Sequence, residues 1–167
     1  MKVFKSIAVS FGGVFFAVVV VAMVQQLGHK LFETPQGLAG ATPEKQIELI
    51  RAWLPTAPFG SVAMVLVSWI SGTYLGSWFS ARFTAELPYA HAAPTICVMV
   101  LCALLMLLEL PHPMWMNIAS LLILPAGYWG ARMGSGTAAG DQSASSGESD
   151  GVGSVGGGSN MGAEDGE

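Results

Sequence analysis

Apolar positions in this chain neither alternate nor recur singly; they run together. Four stretches, Ser6–Leu27, about Pro58–Ala81, about Ala92–Leu110 and Met114–Ala131, fill most of the chain before a polar C-terminal segment. The first is 22 residues without a charge, and the second lies inside an uncharged run from Ala52 to Ala81. A hydrocarbon core of about 30 Å is crossed by roughly 20 apolar residues of helix. The pattern predicts an all-α fold: an integral membrane bundle of four antiparallel transmembrane helices over residues 1–133, embedded in a lipid bilayer.

The connections follow from local signals. A polar loop occupies residues 28–57. Within it Thr42-Pro43-Glu44 reads as a helix start, with Thr42 able to cap, Pro43 suited to the first helical position and Glu44 to the positive end of the dipole. Ile47, Ile50 and Leu54 then share one stripe beside Trp53, so a short amphipathic helix is expected at about 43–54. It lies either in the membrane interface or on the end of the bundle. Helix two ends near Ala81, and a short loop holds Arg82, Glu86, Pro88 and His91. Helix three starts after His91, with Pro94 in its first turn. The link Pro111-His112-Pro113 is short enough to make helices three and four antiparallel neighbours. Pro125 removes a backbone bond to Leu121 and should kink helix four. From Gly134 the chain is Gly, Ser, Ala and acid without apolar periodicity; residues 134–167 read as a disordered tail.

Composition agrees with a membrane setting. The hydrophobic fraction is 52%, the charged fraction 11% and the mean hydropathy +0.55, where soluble domains carry about 25% charged residues. The net charge of −4 comes from the acidic tail; no basic patch points to nucleic acid. Counted near the helix ends, Lys2, Lys5, Arg82 and Arg132 fall on one side, and Lys30, Lys45 and Arg51 on the other. This bias puts both termini in the cytoplasm. Trp53, Phe59 and Trp115 would form the outer aromatic belt. Trp78, Phe79, Phe83, Tyr89, Tyr128 and Trp129 would form the inner one, with Trp69 facing lipid or a neighbouring helix. The start Met1-Lys2-Val3-Phe4-Lys5 before an apolar run has the outline of a signal peptide. The run exceeds the usual h-region, so an uncleaved first helix is expected. Cys97 and Cys102 lie five residues apart, about 140° around a helix, and read as packing residues.

Two groups of residues stand out. Ser68, Gly72, Gly76 and Ser80 recur every four residues on helix two, and Gly127 and Gly130 lie near the inner end of helix four. Small residues let helices approach closely in lipid, so these faces serve packing within the bundle or contact with a second copy or another membrane protein. At the outer end gather Gln25, Gln26, His29 and Glu33, then Glu109, His112 and Asn117. Carboxylate and imidazole together suit a divalent metal or proton transfer, which makes His29, Glu109 and His112 a candidate metal site; an interfacial hydrogen-bond network is the alternative. The spacing matches no metal motif, no nucleotide or nucleophile motif occurs, and no charge lies near the middle of any span. No catalytic residue and no cofactor follow from these residues.

Four local motifs carry a resemblance. They are the first-helix exit Leu27-Gly28-His29, the glycine-rich second helix ending Ser80-Ala81-Arg82, the turn Pro111-His112-Pro113-x-Trp115 and the final Pro125-Ala126-Gly127-Tyr128-Trp129-Gly130-Ala131-Arg132. Over residues 5–133 the chain resembles small bacterial four-span inner-membrane proteins of uncharacterised function. The resemblance implies a fold and a bacterial inner-membrane location but no activity. Without buried charge in the spans, the sequence favours a non-enzymatic accessory or interaction protein. A small transporter, channel or metal-dependent membrane protein using the outer cluster is the alternative.

Overall fold

The computed structural model describes residues 2–32, 34–38, 40–84 and 87–149, with side chains described within 6–136; Glu33 and Glu86 lie outside the described residues. Among these residues every regular element is helical. The elements are α1 (Lys2–Leu31), α2 (Pro43–Trp53), a 3₁₀ turn (Leu54–Thr56), α3 (Phe59–Arg82), α4 (Pro88–Glu109), α5 (Met114–Ala119), a second 3₁₀ turn (Ser120–Leu122) and α6 (Ile123–Ser149). Three helices are long and apolar enough to cross a membrane: α1 from Ser6, α3 and α4.

The boundaries differ from expectation where proline and glycine act. Helix α1 continues through Gly28 and His29, because Gly28 packs on the Met64 side chain of α3 instead of ending the helix. Helix α4 begins at Pro88, so His91 is helical and Pro94 lies inside the helix beyond its first turn. The fourth apolar stretch is not one helix. It divides into α5, the turn Ser120–Leu122 and α6, and Pro125 follows directly. Its ring crowds the Leu121 carbonyl, and the chain tightens into 3₁₀ geometry there. At the start of α2, Thr42 is extended but its side chain makes no cap. Gln46 stabilises the entry instead, its Nε2 donating to the Ala41 carbonyl at 3.0 Å. Helix α6 passes Gly134, which is buried against the Trp78 carbonyl of α3, whereas Gly136 has open space around it. Residues 150–167 of the acidic tail lie outside the described residues.

Helix α3 occupies the centre. Its most apolar window is 39% buried, against 22% for α4 and 11% for α1, although it has the lowest mean hydropathy of the three. This inversion is expected in lipid. Apolar side chains gain nothing by leaving hydrocarbon, so the helix with the most small residues goes inside. Facing pairs set the directions. Gly13 meets Ser80, Ala17 meets Gly76, Val21 meets Gly72, Gly28 meets Met64 and Phe32 meets Gly60. Numbers rise on one helix as they fall on the other, so α1 and α3 are antiparallel. Thr73 with Gly127, Tyr74 with Gly130 and Trp78 with Gly134 rise together, so α3 and α6 run parallel. Helix α4 packs on all three. The outer surface is apolar: Phe11, Phe15 and Leu108 are 71%, 72% and 75% exposed.

Candidate functional site

The small-residue row of α3 is used inside the bundle. Ser68, Gly72, Gly76 and Ser80 are all buried. A Cβ at Gly76 would come within 2.6 Å of Ala17 Cβ and 2.7 Å of the Gly13 carbonyl oxygen, and one at Gly72 within 2.9 Å of the Ala17 carbonyl oxygen. Gly127 is held against Ile96 and Thr73, and Gly130 against the Tyr74 backbone. Helix α1 therefore carries its own packing face, Gly13, Ala17 and Gly28, which the sequence reading missed. The four-residue spacing of Gly13 and Ala17 was the available signal.

A cavity of about 240 Å³ opens at the end of the bundle beneath α2. Its walls come from the last turns of α1, the loop after it, the first turns of α3, the end of α4 and the Pro111–Pro113 link. Trp69, 6% exposed, packs into the same core cluster as Leu54 and Met116, and it faces the cavity and not lipid. Ile50, Trp53 and Leu54 close the cavity from the α2 side, so this amphipathic segment covers the bundle end. Arg51 ties it down, its Nη2 donating to the Glu109 carbonyl oxygen at 2.8 Å. A basic side chain on the last carbonyls of a helix satisfies acceptors that the helix itself leaves open.

Polar groups are few. Gln25, His29, Thr34, Ser61 and His112 line the cavity. Ser61 Oγ is buried and without a hydrogen-bond partner among the described residues. Gln25 Nε2 donates weakly to Ser68 Oγ at 3.5 Å, and Ser68 Oγ donates to the Val65 carbonyl at 2.6 Å. His112 Nδ1 lies 3.0 Å from the Leu110 carbonyl oxygen. A carbonyl only accepts, so Nδ1 carries the proton and Nε2 is the acceptor of the neutral ring. Burial pushes the His112 pKa below the usual histidine value, against a smaller opposing effect of the Leu110 bond. Its ring is 6.5 Å from that of Trp69.

The structure thus brings His29 and His112 to one cavity but leaves Glu109 exposed and off its walls. Among the described residues, no three His, Cys, Asp or Glu side chains stand close enough together to hold a metal ion. The sequence reading placed Ser61 and Trp69 in no site, since neither belongs to a polar pattern. Cys97 and Cys102 are free and exposed on α4. At the opposite end, His91 Nδ1 donates to the Leu87 carbonyl at 3.0 Å, and its Nε2 meets Ser6 Oγ at 2.5 Å. There the rings of Tyr89 and Tyr128 stack at 5.7 Å, and Arg132 lies 5.5 Å over Trp129. No protein-family model, curated protein or solved structure matches this chain.

Proposed function

We propose that the chain is a non-enzymatic four-span membrane protein that holds a small, largely apolar molecule at the α2 end of its bundle. The cavity under α2 carries this reading: it is lined mainly by apolar and aromatic side chains with a few polar groups among them, the usual chemistry of a small-molecule site. Its volume, about 240 Å³, is below the roughly 300–1,000 Å³ of drug-sized pockets and suits a compact ligand. Helices α5 and α6 together form the fourth span, α6 running beside α3. The bacterial inner membrane is the setting that the resemblance implies. Both termini then lie in the cytoplasm, and the cavity faces the opposite side. The small-residue row of α3 is buried and its glycines lie against α1, which favours packing within the bundle over contact with a second copy.

Native mass spectrometry tests the reading. The chain released from its own membranes should carry a non-protein species of low mass. Ser61→Phe, which fills the cavity, should lose that species while keeping its helical circular dichroism. An identical bound mass in both proteins would sink the proposal.

A further inference from the structure

The class of ligand rests on the small-molecule reading above and follows from what this cavity offers that a bilayer does not. Lipid tails surround an apolar molecule as well as an aliphatic cavity does, so burying area alone gives no advantage over the membrane. A ligand is held only through contacts that hydrocarbon cannot make. Ion pairing is not among them: no Asp, Glu, Lys or Arg among the described residues lines the cavity, and Arg51 donates to the Glu109 carbonyl. An ionised molecule would enter without a counter-charge, which is costly away from water. The polar lining offers little more. Gln25 is bonded to Ser68 and His112 to the Leu110 carbonyl, Ser61 Oγ is closed off, and His29 and Thr34 are exposed, where water competes. What remains is aromatic. Phe32 after α1, Trp53 on α2 and Trp69 on α3 line the one cavity, and Met64 and Met106 line it with them. Gly60 makes room for the first of these rings, since a Cβ there would overlap the Phe32 side chain. Rings attract rings in offset or edge-on geometry beyond the area they bury. Thioethers add favourable contacts to ring edges and adapt to irregular shapes. A dry apolar cavity of about 150 Å³ takes a benzene-sized molecule, so a volume of about 240 Å³ has room for one ring with a small substituent.

We infer that the cavity under α2 binds a neutral molecule built on one aromatic ring, held by the wall that Phe32, Trp53 and Trp69 supply. Its preference for the cavity over the surrounding lipid comes from ring contacts, which an aliphatic molecule of the same size lacks.

The test uses the full chain in lipid nanodiscs and three probes, fluorobenzene, fluorocyclohexane and 4-fluorobenzoate, followed by fluorine NMR line broadening. Empty nanodiscs correct each for partition into lipid. Fluorobenzene should bind about fivefold more tightly than fluorocyclohexane, the difference that one or two ring contacts supply, and 4-fluorobenzoate should not bind. Trp53→Leu and, separately, Phe32→Leu should each bring fluorobenzene toward fluorocyclohexane while leaving fluorocyclohexane unchanged. Trp53 is partly exposed on α2, so its variant tests the wall even if Phe32→Leu, which vacates the place on Gly60, disturbs the fold. Equal binding of fluorobenzene and fluorocyclohexane, or a preference that survives both variants, would overturn the aromatic assignment and leave the cavity reading standing. Binding of 4-fluorobenzoate as tight as that of fluorobenzene would overturn the restriction to neutral molecules. Failure of every probe to exceed empty nanodiscs would overturn the cavity reading itself.

Discussion

At the residue scale the most informative side chain is His112. Its ring is partly desolvated, and burial lowers its pKa in the folded protein. The folded state therefore binds fewer protons than the unfolded chain at mildly acidic pH. Stability rises with pH wherever the unfolded state holds more protons, so the sign is fixed. Well above the ordinary histidine pKa of about 6.5 both states are neutral at this ring and it contributes no pH dependence. As pH falls through that value, the unfolded chain protonates first and the fold loses stability, until the folded ring protonates too. Thermal unfolding in detergent between pH 7 and pH 5 should show a falling midpoint, and His112→Phe should flatten that fall. A midpoint equally pH-dependent in both proteins would count against it. The sequence marked His112 for its place in a polar turn beside Glu109. It did not indicate Trp69 as its neighbour, since those residues are 43 apart and meet only through packing.

Helices are the scale at which glycine decides the fold. A Cβ at Gly13 would overlap Ser80 Oγ and lie 2.9 Å from the Gly76 carbonyl oxygen, and one at Gly130 would overlap the Tyr74 carbonyl. Backbone cannot step aside as a side-chain tip can. Gly13→Ala and Gly130→Ala should each cost about 1–3 kcal/mol, the usual range for overpacking. Gly12→Ala is the internal control, since its Cβ would come only to 3.3 Å from Phe79 Cε1. Unfolding of the three variants in mixed micelles gives the comparison. The row on α3 was legible because four small residues recur at one spacing. Its partner face on α1 was not, because Gly13 and Ala17 sit among valines and phenylalanines and their meaning depends on which helix lies opposite. For α2, the hydrogen bond from Arg51 to Glu109 is exposed and so contributes modestly, about 1 kcal/mol. Arg51→Ala should leave global stability nearly unchanged but speed ligand exchange under α2, visible as narrower exchange broadening of a bound probe.

At the scale of the whole molecule the direction of the helices and the side of the cavity are one question. With Cys97 and Cys102 replaced, cysteines at Gly37 and Gly136 should react with a membrane-impermeant maleimide from opposite faces, Gly37 from outside and Gly136 from the cytoplasm. Both reacting from the same face would exclude an odd number of crossings between them and overturn the four-span arrangement. Sequence alone determined that this chain is helical and enters a membrane. In hydrocarbon, backbone groups are satisfied in helices or closed barrels, and runs of this length fit a helix, since a barrel strand needs only about 10 residues. It also placed the small residues and the polar groups near the helix ends, which are local facts. Only the tertiary structure decided that α3 is the central helix, that α1 covers its glycines, and that His29 and His112 line one cavity while Glu109 stays off its walls. Lipid removes the hydrophobic preference that orders soluble cores, so position within the bundle depends on close fit between particular faces. Such fit is a property of pairs of helices, and no single stretch of sequence contains it.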